Sequence, residues 1–149
     1  MTDARYFEEV AIGDSDEFGA YEVTEQEIVA FAERYDPQWF HTDPDAASES
    51  PFGGVIASGW NTAAISQRLV VEHYLPTVRN VAAKGADEVR WHAPVTPGDV
   101  LSCRVEVVDK TAYSPERGRV DVLIELFDQA EERVFSFVGL LVVERRDGD

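Results

Sequence analysis

An aspartate and a histidine five residues apart, Asp36 and His41, are the strongest candidates for acid–base chemistry in this sequence. The stretch around them, RYDPQWFHTDP over residues 34–44, also contains two large aromatic residues, and the chain has only three histidines. A histidine exchanges protons near neutral pH, and a nearby carboxylate can orient it or share a water molecule with it. The pattern favours a water-activating site, although an Asp-Pro pair at a helix end is also common turn chemistry.

A predicted helix places Asp36 at its end. Thr24 begins a T-x-x-E capping box, and apolar residues then recur at helical spacing as far as Tyr35. Because Pro37 disfavours a helical conformation at Asp36, the helix is expected to end there. A loop rich in Pro, Asp, Ser and Gly follows to about residue 56.

A second helix is predicted from Ala57 to Pro76, in the stretch ASGWNTAAISQRLVVEHYLP. Ser58 can cap its start, and its circumference is mostly apolar or small. Such a helix is expected to be buried. Only its ends and one narrow stripe with Gln67, Arg68 and Glu72 should reach water.

After this helix the apolar residues recur with a period of two, which is typical of β-strands. Strands are predicted around residues 89–91, 101–107, 120–126 and 134–143, and a short one at 21–23. A long buried helix and a set of antiparallel strands pack economically when a curved sheet wraps around the helix. The sequence therefore predicts an α+β hot-dog fold, as one domain over residues 1–149.

The charge balance limits the classes of partner. The formal net charge is -16, from 29 acidic and 13 basic residues, so nucleic acid and anionic membranes would be repelled. Only two of the basic residues are lysines, Lys84 and Lys110, which suggests adaptation to high salt. This hypothesis predicts a melting temperature that rises between low and molar KCl.

Several other classes find no support in the sequence. No basic and apolar leader or membrane-length apolar run is present, so we expect a cytoplasmic protein. The single cysteine, Cys103, lies in an alternating apolar stretch and is expected to be a buried structural thiol. Ile56 stands where a nucleophile elbow needs glycine, and neither a metal-ligand spacing nor a phosphate loop occurs. No metal and no cofactor are expected.

Three blocks in order resemble the signature of MaoC-like dehydratases. They are D-P-x-x-F-H-x-D at 36–43, FGGVIASGW at 52–60 and RWHAPVTPGDVL at 90–101. The family includes (R)-specific enoyl-CoA hydratases, which add water across the 2,3 double bond of an acyl-CoA thioester. The resemblance implies that Asp36 and His41 are the catalytic pair. It also implies a backbone oxyanion donor, which we assign to the N–H of Gly59 at the positive start of the second helix.

The remaining assignments are less specific. Ser58 is assigned to substrate binding, as are Trp39 and Phe40, although aromatic residues in a loop also fasten it to the core. The chain has Gln38-Trp39 where well-characterised hydratases have Asn-Pro, which bears on substrate fit.

Coenzyme A carries several phosphate charges, so an arginine patch is needed. The candidates are Arg68, Arg79, Arg90, Arg117 and Arg119. The partners expected are an acyl-CoA substrate and a second copy of the chain, because hot-dog proteins of this family usually pair. A non-catalytic acyl-CoA-binding accessory subunit and a thioesterase remain the alternatives.

Overall fold

The computed structural model describes residues 3–146. Its main elements are five β-strands and four α-helices. Their bounds, in chain order, are β1 Ser15–Glu22, α1 Glu25–Tyr35, α2 Trp39–Thr42, α3 Pro44–Ala47, α4 Gly59–His73, β2 Asn80–Trp91, β3 Val100–Ala112, β4 Arg117–Phe127 and β5 Arg133–Glu144. Short 3₁₀ turns at Phe7–Glu9 and Leu75–Thr77 complete the described structure.

The strands form one antiparallel sheet in the order β1-β3-β4-β5-β2. Strands β3, β4 and β5 are consecutive hairpins, whereas the two edge strands pair with strands far away in sequence. Ser15 of β1 pairs with Glu106, and Asn80 of β2 pairs with Val143.

Helix α4 packs on the concave face of this sheet. Its buried face includes Ile65, Leu69 and Val70, which join alternate residues of β3 and β4 in a single hydrophobic cluster. Gly19 of β1 has φ +87, and a Cβ there would lie 2.8 Å from Leu69 Cδ2. A glycine is therefore required where the edge strand crosses the helix. The predicted α+β hot-dog arrangement is confirmed.

Several predicted elements need correction at their edges, since β1 begins at Ser15 and β2 at Asn80, well before the predicted 21–23 and 89–91. Helix α4 ends at His73, before a 3₁₀ turn, and its exposed stripe is wider than expected because it also includes Trp60, Ala64 and Val71. The loop after α1 is not irregular throughout, since it contains α2 and α3. Asp43 begins α3 by accepting hydrogen bonds from the N–H groups of Asp45 and Ala46 at 3.1 Å.

Candidate active site

Asp36 lies at the end of α1, where each oxygen of its carboxylate accepts a hydrogen bond from a neighbouring side chain. Its Oδ2 accepts a 2.7 Å hydrogen bond from the Ser58 hydroxyl, and its Oδ1 accepts one of 2.7 Å from the Gln38 amide. These two donors, Ser58 first, hold the pKa of Asp36 below the ordinary range of an aspartate. Asp36 is therefore a stable carboxylate at neutral pH.

His41 lies in α2 and is 5% exposed. Its Nδ1 is 2.7 Å from the carbonyl oxygen of Ile56, and its Nε2 is 3.4 Å from Asp36 Oδ2. A carbonyl oxygen only accepts hydrogen bonds, so Nδ1 must carry a proton. In the neutral ring Nε2 is then an unprotonated acceptor that faces the carboxylate.

Gly59 begins α4 directly beneath the indole of Trp91. The Trp91 Nε1–H donates a 2.8 Å hydrogen bond to the Gly59 carbonyl. A Cβ at residue 59 would lie 2.7 Å from two atoms of that ring, so the close approach requires glycine. Trp60 meets Trp91 edge to face, with ring centroids 5.2 Å apart.

A cavity of about 480 Å³ joins these groups. Asp36, His41 and Gly59 lie in its lining, and apolar residues of the RWHAPV segment complete the wall opposite them. The site therefore has a carboxylate, an imidazole and the first turn of a helix around one space. This arrangement can bind a water molecule and a polarised carbonyl together.

The structure brings Asp36, His41 and Gly59 together as predicted, but it gives Ser58 another contact. Ser58 is 0% exposed, donates to Asp36 and accepts from the N–H of Trp60 as the cap of α4. Trp39 and Phe40 are not among the described residues that line the cavity. The Phe40 ring instead packs against His41, with centroids 4.4 Å apart. Substrate binding by these three residues stays a prediction.

Three contributors to the site were missed in the sequence. Gln38 binds Asp36, the Ile56 carbonyl fixes the His41 ring, and Trp91 covers Gly59. A backbone carbonyl leaves no signal in a sequence. Trp91 was recognised only as a strand residue, although it stands inside the third signature block.

Among the other titratable residues, His92 also lines the cavity, whereas Cys103 is buried in the hydrophobic core. Burial raises the pKa of the Cys103 thiol to about 12, in agreement with a structural cysteine. Within residues 3–146 no group of three His, Cys, Asp or Glu side chains is placed to hold a metal ion. Over the same range, no helix is both long and apolar enough to cross a membrane.

Comparison with known proteins identifies the class to which this fold and site belong. The model of the MaoC-like domain matches residues 8–127, so the chain belongs to the MaoC-like dehydratase family.

Its relatives include YdeM of Bacillus subtilis, an uncharacterised protein that is 35% identical over 93% of this chain and 98% of its own length. The 3-hydroxyacyl-thioester dehydratase Z of Mycobacterium tuberculosis is 40% identical over 80 residues, which are 51% of this chain and 52% of that protein. The crystal structure of the MaoC-like dehydratase from Rhodospirillum rubrum superposes with a TM-score of 0.89 at 37% identity, covering 96% of this chain and 99% of that one.

Proposed function

We propose that this protein is a hydro-lyase that adds water across the 2,3 double bond of an enoyl-CoA thioester and catalyses the reverse dehydration. The observation that carries the proposal is the Asp36–His41 pair, which faces a cavity beside the first turn of α4. The name of the mycobacterial dehydratase, which acts on 3-hydroxyacyl thioesters, supports the same substrate class.

The pair can activate water without any further group. A water molecule that donates one hydrogen bond to Asp36 and one to His41 Nε2 is held with its oxygen turned toward the β-carbon of the substrate. As that oxygen bonds to the β-carbon, His41 Nε2 takes a proton from the water. The ionised Asp36, 3.4 Å from Nε2, stabilises the imidazolium that forms.

The electrons of the double bond then move toward the thioester carbonyl, which becomes an enolate oxygen. In the first turn of α4, at its positive dipole end, the N–H groups of Trp60 and Asn61 donate to Ser58, whereas over residues 3–146 the N–H of Gly59 makes no hydrogen bond. Gly59 lines the cavity, so its N–H is the oxyanion donor in this proposal, and a preorganised donor of this kind increases the rate by about 10²- to 10³-fold.

The cycle closes when the imidazolium returns its proton to the α-carbon and the enolate collapses to the thioester. The water oxygen ends on the β-carbon with one of its hydrogens, the other hydrogen ends on the α-carbon, and the Asp36–His41 pair returns to its starting protonation state. No electrons enter or leave, so the proposed reaction uses no cofactor beyond the coenzyme A of the substrate.

We also propose that the working form is a homodimer. Apolar side chains stand exposed on α4 and at the start of β2, including Val71 at 47% and Val81 at 45%. Exposed apolar side chains of this kind are candidates for a surface that a second copy of the chain covers. Adaptation to high salt likewise stays a prediction, which the KCl melting series tests.

The test follows the loss of enoyl-thioester absorbance with crotonyl-CoA, in about molar KCl, for the parent, Asp36→Asn and His41→Ala. Each substitution should lower kcat by at least about 10²-fold, because each removes a proton acceptor or its partner. Ser66→Ala in α4 provides a matched control, because the buried Ser66 hydroxyl donates only to the Ala63 carbonyl, at 2.7 Å.

The alternatives give different results. A parent that binds crotonyl-CoA and longer enoyl-CoAs but hydrates none of them would favour an accessory subunit. Release of free thiol from the thioester would favour a thioesterase. Full hydration by a folded His41→Ala variant would remove the imidazole from the mechanism.

A further inference from the structure

In this strongly acidic protein, few basic side chains are available to bind the phosphates of coenzyme A. The chain has 13 basic residues, of which two are lysines and eleven are arginines. Seven of the arginines lie within 4.0 Å of a carboxylate oxygen, including the candidates Arg68 and Arg119. Within residues 3–146, no such ion pair involves Arg34, Arg79, Arg90 or Arg117.

The sheet register separates two of these four from the cavity. Arg117 pairs with Glu144 of β5. Arg79 directly precedes Asn80, which pairs with Val143. Trp91, at the cavity, pairs with Phe135. Eight residues along a strand correspond to roughly 26 Å. Arg79 and Arg117 therefore lie at the opposite end of the sheet.

The other two arginines differ in their surroundings. Arg34 belongs to α1, which also carries Glu25, Glu27 and Glu33, and its guanidinium lies over the Tyr35 ring at 5.4 Å. The negative charge of this helix disfavours a phosphate there.

Arg90 ends a lateral row of paired residues on four neighbouring strands. In this row Arg104 pairs with Glu125, Glu125 with Ser136, and Ser136 with Arg90. Arg133 also reaches the carboxylate of Glu125, at 3.0 Å. Paired residues of an antiparallel sheet lie on the same face, so Arg90, Arg104 and Arg133 share one patch. In this patch Glu106 and Glu125 are paired with Arg104 and Arg133, and Arg90 is the arginine without a carboxylate partner over residues 3–146.

The patch adjoins the cavity through His92. His92 lies in the cavity lining, and its Nε2 is 2.7 Å from the hydroxyl oxygen of Ser136 in the same row. Burial first, and then the charge of Arg133, lower the pKa of His92; the charge of Glu125 acts in the opposite direction, and that of Arg90 lowers the pKa further. Both arginines therefore lie close enough to act on a residue of the cavity wall.

We infer that Arg90 is the main contact for the coenzyme A phosphates, in a phosphate-binding subsite on the outer face of β2 where Arg133 and His92 supply the neighbouring positive and polar groups. This inference rests on the proposed function. Arg90 and Trp91 are consecutive residues of a strand, so they lie on opposite faces of the sheet. The pantetheine arm leaves the cavity past Trp91, and the nucleotide turns around β2 toward Arg90.

The experiment compares crotonyl-CoA with crotonyl-pantetheine, which has the same thioester without phosphates, on the parent and three variants. Arg90→Gln should raise KM for crotonyl-CoA about tenfold, since it removes charge-assisted hydrogen bonds, while kcat stays within about twofold. Its KM for crotonyl-pantetheine should not change. Arg117→Gln and Arg34→Gln remove the same single charge elsewhere and should leave both KM values unchanged.

Three results would overturn the inference: an unchanged KM in Arg90→Gln, an equal rise of KM for both thioesters, or a CoA-specific rise in Arg34→Gln. Calorimetric titration with coenzyme A alone separates this inference from the proposed reaction. A parent without hydratase activity whose coenzyme A binding weakens about tenfold in Arg90→Gln would contradict the reaction and support the subsite. An active parent whose Arg90→Gln variant binds coenzyme A as tightly as the parent does would support the proposed reaction and contradict the subsite.

Discussion

The two ends of the sheet use their polar residues in opposite ways. At the end that holds the first and last described segments, the guanidinium groups of Arg79 and Arg146 lie 4.3 and 4.7 Å from the centre of the Tyr6 ring, and Lys110 lies 4.4 Å from that of Phe7. At the cavity end, hydrogen bonds converge on one carboxylate, Asp36, which has no arginine or lysine in ion-pair contact over residues 3–146.

The difference indicates that this acidic protein places cationic side chains where they stabilise the fold and keeps them out of ion-pair contact with the Asp36 carboxylate. Cation–π contacts and the ion pairs of Arg145 and Arg146 fasten the terminal segments, where they add to folding stability, and the ion pairs at the cavity end join Arg104 and Arg133 to Glu125 rather than to Asp36. A cation beside Asp36 would neutralise the carboxylate that must stabilise an imidazolium. Substitutions at the two ends should therefore affect different measurements.

The largest expected effect is on stability, at the terminal end. Phe7 is 8% exposed, and its ring occupies the space that a Cβ at residue 118 would need. Phe7→Ala should lower the free energy of unfolding by about 3 kcal/mol in a denaturant titration, because it leaves a cavity. The kcat/KM of the folded enzyme should stay within about twofold. Phe52→Ala, which truncates an exposed aromatic residue, serves as the control. If Phe7→Ala lowered kcat/KM without lowering the free energy of unfolding, the separation of stability from chemistry would be contradicted.

Gly59→Ala should lower kcat/KM by about 10- to 10²-fold, because the new Cβ displaces the Trp91 ring that lies over the first turn of α4. Stability should change by less than about 1 kcal/mol, since alanine is the better helix former. In the Trp91→Ala background the same substitution should cost less than about threefold. Equal losses in both backgrounds would place the effect at the Gly59 backbone itself.

Ser58→Ala should change the pH dependence by removing the main donor that lowers the pKa of Asp36. A carboxyl with a lowered folded-state pKa stabilises the fold above its unfolded pKa of about 4, and this contribution is lost as the pH falls through the lower folded value. With Ser58 removed, the folded pKa rises and the acid limb of kcat/KM moves to higher pH, with up to about a tenfold loss at neutral pH. An acid limb that moved equally in Ser66→Ala would contradict this origin.

The smallest effect is expected at Cys103. Because burial raises the pKa of its thiol to about 12, the thiolate is scarce at pH 8 and alkylation of the native protein should be undetectable. Mass spectrometry should find one alkylated site after unfolding in denaturant. Rapid alkylation of the native protein would show that the core around β3 opens.

The sequence predicted the elements whose apolar pattern is regular. Thr24 caps α1 through the N–H of Glu27 at 3.1 Å, β3 buries alternate residues from Leu101 to Val107, and β4 and β5 bury most of their residues. The edge strands were largely missed: β1 extends from Ser15 to Glu22, and β2 has little burial on either face. An edge strand that buries few side chains has no alternation to detect.

The site was predictable where chemistry depends on residue type and unpredictable where it depends on the backbone. Residue type and spacing singled out Asp36 and His41, and the family resemblance added Gly59; the three residues line one cavity, and their catalytic roles stay a prediction. The orientation of His41 depends on the carbonyl of Ile56, which any residue could supply. The role of Trp91 depends on β2 ending against the start of α4, which is a tertiary contact. The D-P pair at Asp43 was a usable signal for the start of α3, because proline is favoured in the first turn of a helix.

The strand order has a consequence for how the chain folds. The β3-β4-β5 hairpins join neighbours in sequence, but β1 must find a partner about ninety residues away, as in the pairing of Ser15 with Glu106. Closing such a long loop costs entropy before its contacts form. We expect the three-stranded meander to form early and β1 to dock late, so that the α1 segment, and with it the carboxylate of Asp36, reaches its final position only in the last step of folding.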